Sequence, residues 1–172
     1  LGGPVKPYIP VYASALHPVG AEKVQAEAKA YVEEGYQAMK MRFPYGPGHG
    51  IAGMRANEEH VANVRDAVGD DIEIMADAYM GWDFLYAKKM VKRLEPYRLA
   101  WLEEAFLPDD LNSYAKLRQE TSIPISGGEH EYTRFGFQQI IEKQAMDIIQ
   151  PDLRRCGGLS EGRRICSLAM AN

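Results

Sequence analysis

The segment EIMADAY at residues 73–79 is followed by LAWLEEAF at residues 99–106 and by IPISGGE at residues 123–129. Each segment is a short apolar run that ends in, or runs through, an acidic residue. Asp77, Glu103 and Glu129 recur at a constant spacing of 26 residues. Repeating units of equal length place equivalent residues at the same level of a parallel sheet. We therefore expect these three carboxylates to occupy equivalent places at the ends of successive strands.

The same pattern continues on both sides of these segments, where apolar runs alternate with amphipathic stretches. Such alternation is typical of parallel βαβ units. The predicted strands are 9–13, 38–43, 73–79, 99–106, 123–129 and 146–152, and the predicted helices are 21–34, 55–68, 83–94, 110–119, 133–143 and 159–171. No G-x-G-x-x-G follows the first strand, which disfavours a dinucleotide-binding sheet. The pattern favours an α/β fold of the closed-barrel type.

Composition narrows the classes of partner. The chain has 24 acidic and 20 basic side chains and a net charge of -4. It therefore lacks the excess of basic residues that binding to nucleic acids or to anionic membranes requires. No apolar run approaches the roughly 20 residues that span a bilayer. We expect a cytoplasmic protein that binds neither nucleic acid nor membrane. The two cysteines, Cys156 and Cys166, are too few for a disulfide framework, and we expect reduced thiols.

One connection departs from the compact pattern. Residues 44–53 read PYGPGHGIAG, which predicts a long irregular loop after the second strand. The segment lacks the Gly-Lys-Ser/Thr ending of a phosphate-binding loop. Its glycine content is compatible with a mobile lid or with a plain solvated loop.

In a closed barrel the carboxyl ends of the strands meet at one end, which we call the mouth. Three carboxylates at the mouth repel each other unless a cation lies between them. Ligation by oxygen alone suits Mg²⁺, so Asp77, Glu103 and Glu129 are candidate magnesium ligands. The alternative is a set of separate salt bridges to arginines of the outer helices. Neighbouring strand residues face opposite ways, so Glu104 is expected to face the helical layer or to pair with a neighbour.

Further segments carry a resemblance to a known family. They are KMR at 40–42, ADAY at 76–79, WLEEAF at 101–106, SGGEHEYT at 126–133 and IIQPDLRRCGGLSE at 148–161. In this order they resemble the barrel domain of the enolase superfamily, in its mandelate racemase-like branch, and within it the acid-sugar dehydratases of the L-rhamnonate type. The resemblance implies a TIM-type (β/α)7β barrel and Mg²⁺ bound by Asp77, Glu103 and Glu129. A complete barrel needs about 250 residues. We therefore expect residues 1–172 to be a partial barrel domain of about six βα units, without its N-terminal capping domain and last units.

The resemblance also implies chemistry that begins with abstraction of the proton alpha to a carboxylate. Lys40 and Arg42 lie two residues apart on one strand, point the same way and add positive charge at the mouth. Surface residues that only aid solubility are the alternative. Racemase-type relatives place a lysine base where this chain has Arg42, and an arginine stays protonated. The departure favours one-sided proton abstraction followed by elimination.

Other catalytic assignments also come from the resemblance. Asp152 is expected to orient a histidine base that lies beyond Asn172, or else to open the following helix. His130, next to Glu129, is expected to protonate the departing 3-hydroxyl or to bind substrate, unless it contacts only solvent. Tyr79 shares the inward face of Asp77 and is expected to contact substrate or to pack inside the barrel.

Together these features predict a hydro-lyase that converts an aldonate such as L-rhamnonate to a 2-keto-3-deoxy acid. A dehydratase for another sugar acid, of the fuconate, galactonate or gluconate type, and a non-catalytic barrel scaffold remain alternatives. We expect a homo-oligomer for the complete protein. We also expect the isolated chain to be unstable and inactive, because its first and sixth strands would have unpaired edges.

Overall fold

Six parallel strands form one sheet in the order in which they occur in the chain. The computed structural model describes residue 3 and residues 6–172. The strands are β1 (Ala13–Ser14), β2 (Ala38–Arg42), β3 (Glu73–Asp77), β4 (Leu102–Glu103), β5 (Ile125–Gly127) and β6 (Ile148–Ile149). Each strand pairs with the next one in parallel. This sequential parallel order confirms the predicted barrel-type α/β architecture.

A helix follows each strand. The helices are α1 (Ala21–Glu33), α2 (Gly50–Val68), α3 (Phe84–Leu94), α4 (Leu111–Glu120), α5 (Thr133–Glu142) and α6 (Leu159–Met170). Aspartates cap the N-termini of two helices. Before α3, Asp83 accepts a hydrogen bond from Tyr86 N at 2.8 Å, and before α4, Asp110 accepts one from Ser113 N at 3.1 Å. Within the described residues, no helix is long and apolar enough to cross a membrane.

The core lies between the strands and the inner faces of the helices. Met39, Met41 and Ile74 from the strands are fully buried, as are Val61 and Leu94 from the helices. Burying a side chain of this size is worth about 1.5–3 kcal/mol. Apolar packing around the sheet therefore fixes the strand ends, where the polar residues of the candidate site lie.

Strand pairing corrects part of the predicted register. Asp77 is the register partner of Glu103, as the spacing predicts. Glu103, however, is the partner of Ser126, so Glu129 lies three residues farther along, in the turn after β5. The prediction that all three carboxylates occupy equivalent places was wrong for Glu129. The first strand is also shorter than predicted, because pairing with β2 begins only at Ala13.

The prediction of a long irregular loop over residues 44–53 was wrong. A short 3-10 helix occupies Pro47–His49, and α2 begins at Gly50. The carbonyl of Tyr45 accepts hydrogen bonds from Asn57 Nδ2 at 2.9 Å and from Trp82 Nε1 at 3.0 Å. Gly46 is needed there because a Cβ atom would lie 2.5 Å from the carbonyl oxygen of Gly81. These contacts anchor the connection to α2 and to the turn before α3.

The expectation for the cysteines also has an outcome, since Cys156 and Cys166 are both free, the first buried and the second exposed. His60 lies on α2 and is buried, with its Nε2 3.1 Å from the carbonyl oxygen of Leu16.

Candidate functional site

Charged side chains meet at the carboxyl ends of β2, β3 and β4. Asp77 is the last residue of β3 and Glu103 the last residue of β4, and they are 2% and 1% exposed. Lys40, on β2, is buried beside them. Buried charges destabilise a fold strongly unless they are paired. Three charged side chains, those of Lys40, Asp77 and Glu103, therefore lie together at the same end of the sheet.

Lys40 joins the two carboxylates. Its Nζ donates a short hydrogen bond to Glu103 Oε1 and lies 3.7 Å from Asp77 Oδ2. Burial disfavours the charged ammonium, but the hydrogen bond to Glu103 and the charges of Glu103 and Asp77 outweigh it. The pKa of Lys40 is therefore raised above its ordinary value. Lys40 thus brings a permanent positive charge to the mouth.

The second oxygen of Glu103 is held from two sides. Trp101 Nε1 donates to Glu103 Oε2 at 2.9 Å, and Gln150 Nε2 donates to the same atom at 3.0 Å. Trp101 directly precedes β4 and Gln150 directly follows β6, so the carboxylate is fixed by groups from β2, from the start of β4 and from the end of β6. Both residues lie in segments that carry the family resemblance, but neither was assigned a role from the sequence, because neither residue type carries a charge or a reactive group.

Arg42 and Tyr79 form the outer wall around Asp77. Arg42 Nη2 lies 3.2 Å from Asp77 Oδ2, and its guanidinium lies 4.7 Å from the centre of the Tyr79 ring. The backbone amide of Tyr79 donates to Asp77 Oδ1 at 2.8 Å. Tyr79 has a φ of 46° and is half exposed. The structure therefore brings Lys40, Arg42, Asp77 and Tyr79 together, with Arg42 and Tyr79 facing outward.

Glu104 reaches the same mouth, although strand alternation predicted the opposite face or a neighbouring partner. Its φ of 43° turns the chain out of β4, and its Oε1 lies 2.7 Å from His130 Nδ1. Burial raises the pKa of Glu104, and the hydrogen bond to His130 partly offsets that effect. The pairing with a neighbour is the outcome that the structure shows. One signal was present in the sequence, since Glu104 and His130 are also 26 residues apart.

Glu129 lies with His130 rather than in the Lys40 cluster. Its Oε1 is 3.8 Å from His130 Nδ1, and its side chain is 41% exposed. One ligand atom from each of Glu104, Glu129 and His130 lies within 4.8 Å of the others. The predicted set of Asp77, Glu103 and Glu129 is thus divided between two adjacent groups, one around Lys40 and one around His130.

Tyr12, which the sequence did not single out, lies beside the group around Lys40. Its ring centre is 5.8 Å from Lys40 Nζ and 5.6 Å from that of Trp101. Burial raises the pKa of Tyr12, Lys40 lowers it, and the charges of Glu103, Glu129 and Asp77 raise it further. The phenol therefore lies in the field of all three predicted metal ligands.

Asp152 lies in the turn between β6 and α6. Its Oδ1 accepts a hydrogen bond from Arg154 N at 2.7 Å, and its carbonyl oxygen accepts one from Cys156 N at 2.8 Å. These bonds stabilise the turn itself. The expectation that Asp152 opens the following helix was wrong, because α6 begins at Leu159 after Gly158 and no side chain caps it. The carboxylate remains partly exposed.

The chemistry of the donors fits a hard cation such as Mg²⁺. Four carboxylates lie at the mouth. Within the described residues, four buried side-chain oxygens have no hydrogen-bond partner, and three of them belong to residues at or next to this site: Glu104 Oε2, Ser126 Oγ and Gln150 Oε1. A buried oxygen without a partner costs about 1–3 kcal/mol. Carboxylate and amide oxygens are suitable ligands for Mg²⁺. The mouth therefore has more acceptor oxygens than its own donors satisfy.

Comparison with known proteins places this geometry in a family. Residues 23–172 match the family model described as enolase C-terminal domain-like. The chain is 37% identical to an L-rhamnonate dehydratase from Saccharopolyspora erythraea, and the match covers 100% of the chain and 42% of that protein. The chain thus spans about two fifths of the length of this curated relative.

Two solved structures share the architecture. A 3,6-anhydro-D-galactonate cycloisomerase from Zobellia galactanivorans has a TM-score of 0.85 at 33% identity, covering 92% of this chain and 43% of that one. An enolase from Bradyrhizobium, complexed with magnesium and mandelic acid, has a TM-score of 0.85 at 29% identity, covering 95% and 44%. With 150 residues matched by the family model and the site at the carboxyl ends of its strands, the chain belongs to the enolase C-terminal domain-like family.

Proposed function

We propose that the protein is a Mg²⁺-dependent dehydratase of a sugar acid, with an aldonate such as L-rhamnonate as substrate. The observation that carries the proposal is the buried arrangement of Asp77, Lys40 and Glu103, which combines candidate metal ligands with a fixed positive charge. The 37% identity to an L-rhamnonate dehydratase supports this substrate class. The nearest alternative is another reaction of a sugar acid, because one structural relative is a 3,6-anhydro-D-galactonate cycloisomerase.

Asp77, Glu103 and Glu129 are the proposed metal ligands. A bound Mg²⁺ would act as a Lewis acid that stabilises the charge developing on a carboxylate when its alpha proton is removed. Within the chain itself, Trp101 and Gln150 hold Glu103 in place by hydrogen bonds to Oε2. Mutation of a residue that hydrogen-bonds a metal ligand typically lowers metal affinity 10- to 100-fold.

Lys40 and Arg42 are the proposed partners of the substrate carboxylate. Lys40 is buried and charged, so its attraction for an anion is screened less than that of a surface lysine. Arg42 is half exposed and its planar guanidinium can bind a carboxylate through two hydrogen bonds. Tyr79 stacks on Arg42 and is the proposed contact for the rest of the substrate.

His130 is the proposed acid for the departing 3-hydroxyl. Its ring is 17% exposed at the mouth, within 6.0 Å of the Tyr79 ring centre. Asp152 is proposed to orient a histidine base supplied from outside this chain. Arg42 is not a proton acceptor, so the proposal predicts elimination rather than racemisation.

A substrate screen tests the proposal. The protein that contains this chain is incubated with Mg²⁺ and with L-rhamnonate, L-fuconate, D-galactonate and D-gluconate, and 2-keto acid formation is measured. We expect a 2-keto acid from at least one of them, with loss of activity in Glu103→Gln. The surface variant Glu142→Gln serves as a control that keeps full activity. Absence of product from every sugar acid, together with no affinity for Mg²⁺, would favour a non-catalytic scaffold.

A further inference from the structure

His130 is held by a contact that the proposed function does not use. The residue lies in the turn after β5, where the amide of Glu131 donates to the carbonyl of Gly128 at 3.0 Å. Its Nδ1 lies 2.7 Å from Glu104 Oε1. The ring therefore uses Nδ1 within the protein, and among the described residues Nε2 makes no hydrogen bond.

Glu104 is itself firmly placed. Its side chain is 3% exposed, its amide donates to the carbonyl of Ser126 at 3.0 Å, and its carbonyl accepts from Met80 N at 2.6 Å. Strand β5 packs directly beside it, since a Cβ atom at Gly127 would lie 3.7 Å from Glu104 Cγ, an ordinary van der Waals distance. The carboxylate thus has little freedom to turn away from the histidine.

The backbone of Glu104 explains how it reaches His130. A φ of 43° is uncommon for a residue other than glycine. The left-handed conformation interrupts the alternation of β4 and directs Glu104 to the mouth instead of the helical layer. Tyr79 adds a second constraint, since its ring packs edge to face on His130 at an interplanar angle of 68°.

We propose that Glu104 is a positioning residue that fixes the ring of His130, with the proton on Nδ1 and with Nε2 left for the substrate. A carboxylate can only accept a hydrogen bond, so Nδ1 carries the proton in this pair. A carboxylate partner fixes a histidine tautomer and orientation in many proton-transfer sites. The proposal rests on the proposed function only for the claim that Nε2 meets a substrate.

Nitrogen NMR tests the tautomer without any substrate. In the ¹⁵N-labelled protein that contains this chain, the His130 signals are assigned by their loss in His130→Asn. We expect neutral His130 to be protonated at Nδ1 in the wild type, and to lose this preference in Glu104→Leu. Protonation at Nε2 in the wild type, or the same tautomer in Glu104→Leu, would overturn the proposal even if no sugar acid is a substrate.

The second test is kinetic and uses the responsive sugar acid, meaning the one that yields a 2-keto acid in the substrate screen. We expect Glu104→Leu to lower kcat about 10- to 100-fold, with KM changed less than about threefold. Glu104→Gln keeps a carbonyl acceptor for Nδ1–H, so we expect it to retain more than about a tenth of the wild-type kcat. Glu131→Gln is the matched control. Glu131 is next to His130 in sequence, but its carboxylate accepts a hydrogen bond from Tyr132 N in its own loop. Equal loss of kcat in the Gln and Leu variants would contradict the positioning role, and the Gln variant suffices if the Leu variant does not fold.

Discussion

Replacing Lys40 by methionine should destabilise the metal-free protein strongly. The Lys40 side chain is 8% exposed and lies 3.7 Å from Asp77, with a shorter contact to Glu103. Methionine keeps most of the volume and removes the shared cation. Removing one partner of a buried ion pair costs about 3–5 kcal/mol, because the remaining charges stay buried without compensation.

Magnesium should reverse much of this loss. A divalent cation held by Asp77 and Glu103 would supply the charge that Lys40→Met lacks, and without the lysine no ammonium would compete for Glu103. Each 1.4 kcal/mol of the recovered stability corresponds to a tenfold change in affinity. We therefore expect the Kd for Mg²⁺ to be at least about tenfold lower in Lys40→Met than in the wild type.

Thermal unfolding of the protein that contains this chain, in EDTA and in excess Mg²⁺, measures both effects. At about 2–4 °C per kcal/mol for 150–250 residues, the expected fall in Tm is about 6–20 °C in EDTA and clearly smaller in Mg²⁺. Lys88→Met, which removes an exposed salt bridge to Glu120, is the control and should cost less than about 1 kcal/mol in both conditions. An equal fall in Tm in both conditions, or weaker Mg²⁺ binding by Lys40→Met, would refute the reasoning.

Three further predictions concern other parts of the molecule. His130→Asn should bind Mg²⁺ within about twofold of the wild type but lower turnover at least about 100-fold, as measured by titration calorimetry and product assay; near-normal turnover would exclude its catalytic role. Tyr114→Phe should lower the free energy of unfolding by about 1–3 kcal/mol in urea, because the buried hydroxyl donates to Phe106 O at 2.6 Å and accepts from Phe106 N at 3.2 Å; no change would mean that water replaces it. Burial lowers the pKa of His60 below its ordinary value near 6.5, so the stability that its neutral ring contributes is present above pH 6.5 and is lost as the pH falls below it. His60→Gln should flatten this part of the stability profile, and an unchanged slope would contradict the assignment.

The sequence was sufficient for the architecture because the pattern of strands and helices is local. Apolar runs and helix caps such as Asp83 and Asp110 lie where the alternation predicts them. The start of α2 was missed because glycine and proline at 44–53 indicate a loop. What stabilises that segment is tertiary, namely the bonds to the carbonyl of Tyr45 and the close approach at Gly46.

The candidate site was predictable where it follows the strand register and not where the chain leaves it. Equal spacing correctly aligned Asp77 with Glu103. The same arithmetic misplaced Glu129, because β5 ends at Gly127 and the turn carries Glu129 beyond its expected level. Glu104 was assigned by strand alternation, which its left-handed backbone interrupts. Only the folded backbone shows that change of direction.

Proton NMR in D₂O of the protein that contains this chain tests the proposed chemistry most directly. With Mg²⁺ and the responsive sugar acid, we predict loss of the C2 proton signal together with formation of a 2-keto-3-deoxy acid, and neither event in EDTA. Accumulation of the C2 epimer without a 2-keto acid, or conversion at the same rate in EDTA, would contradict Mg²⁺-dependent dehydration at this site.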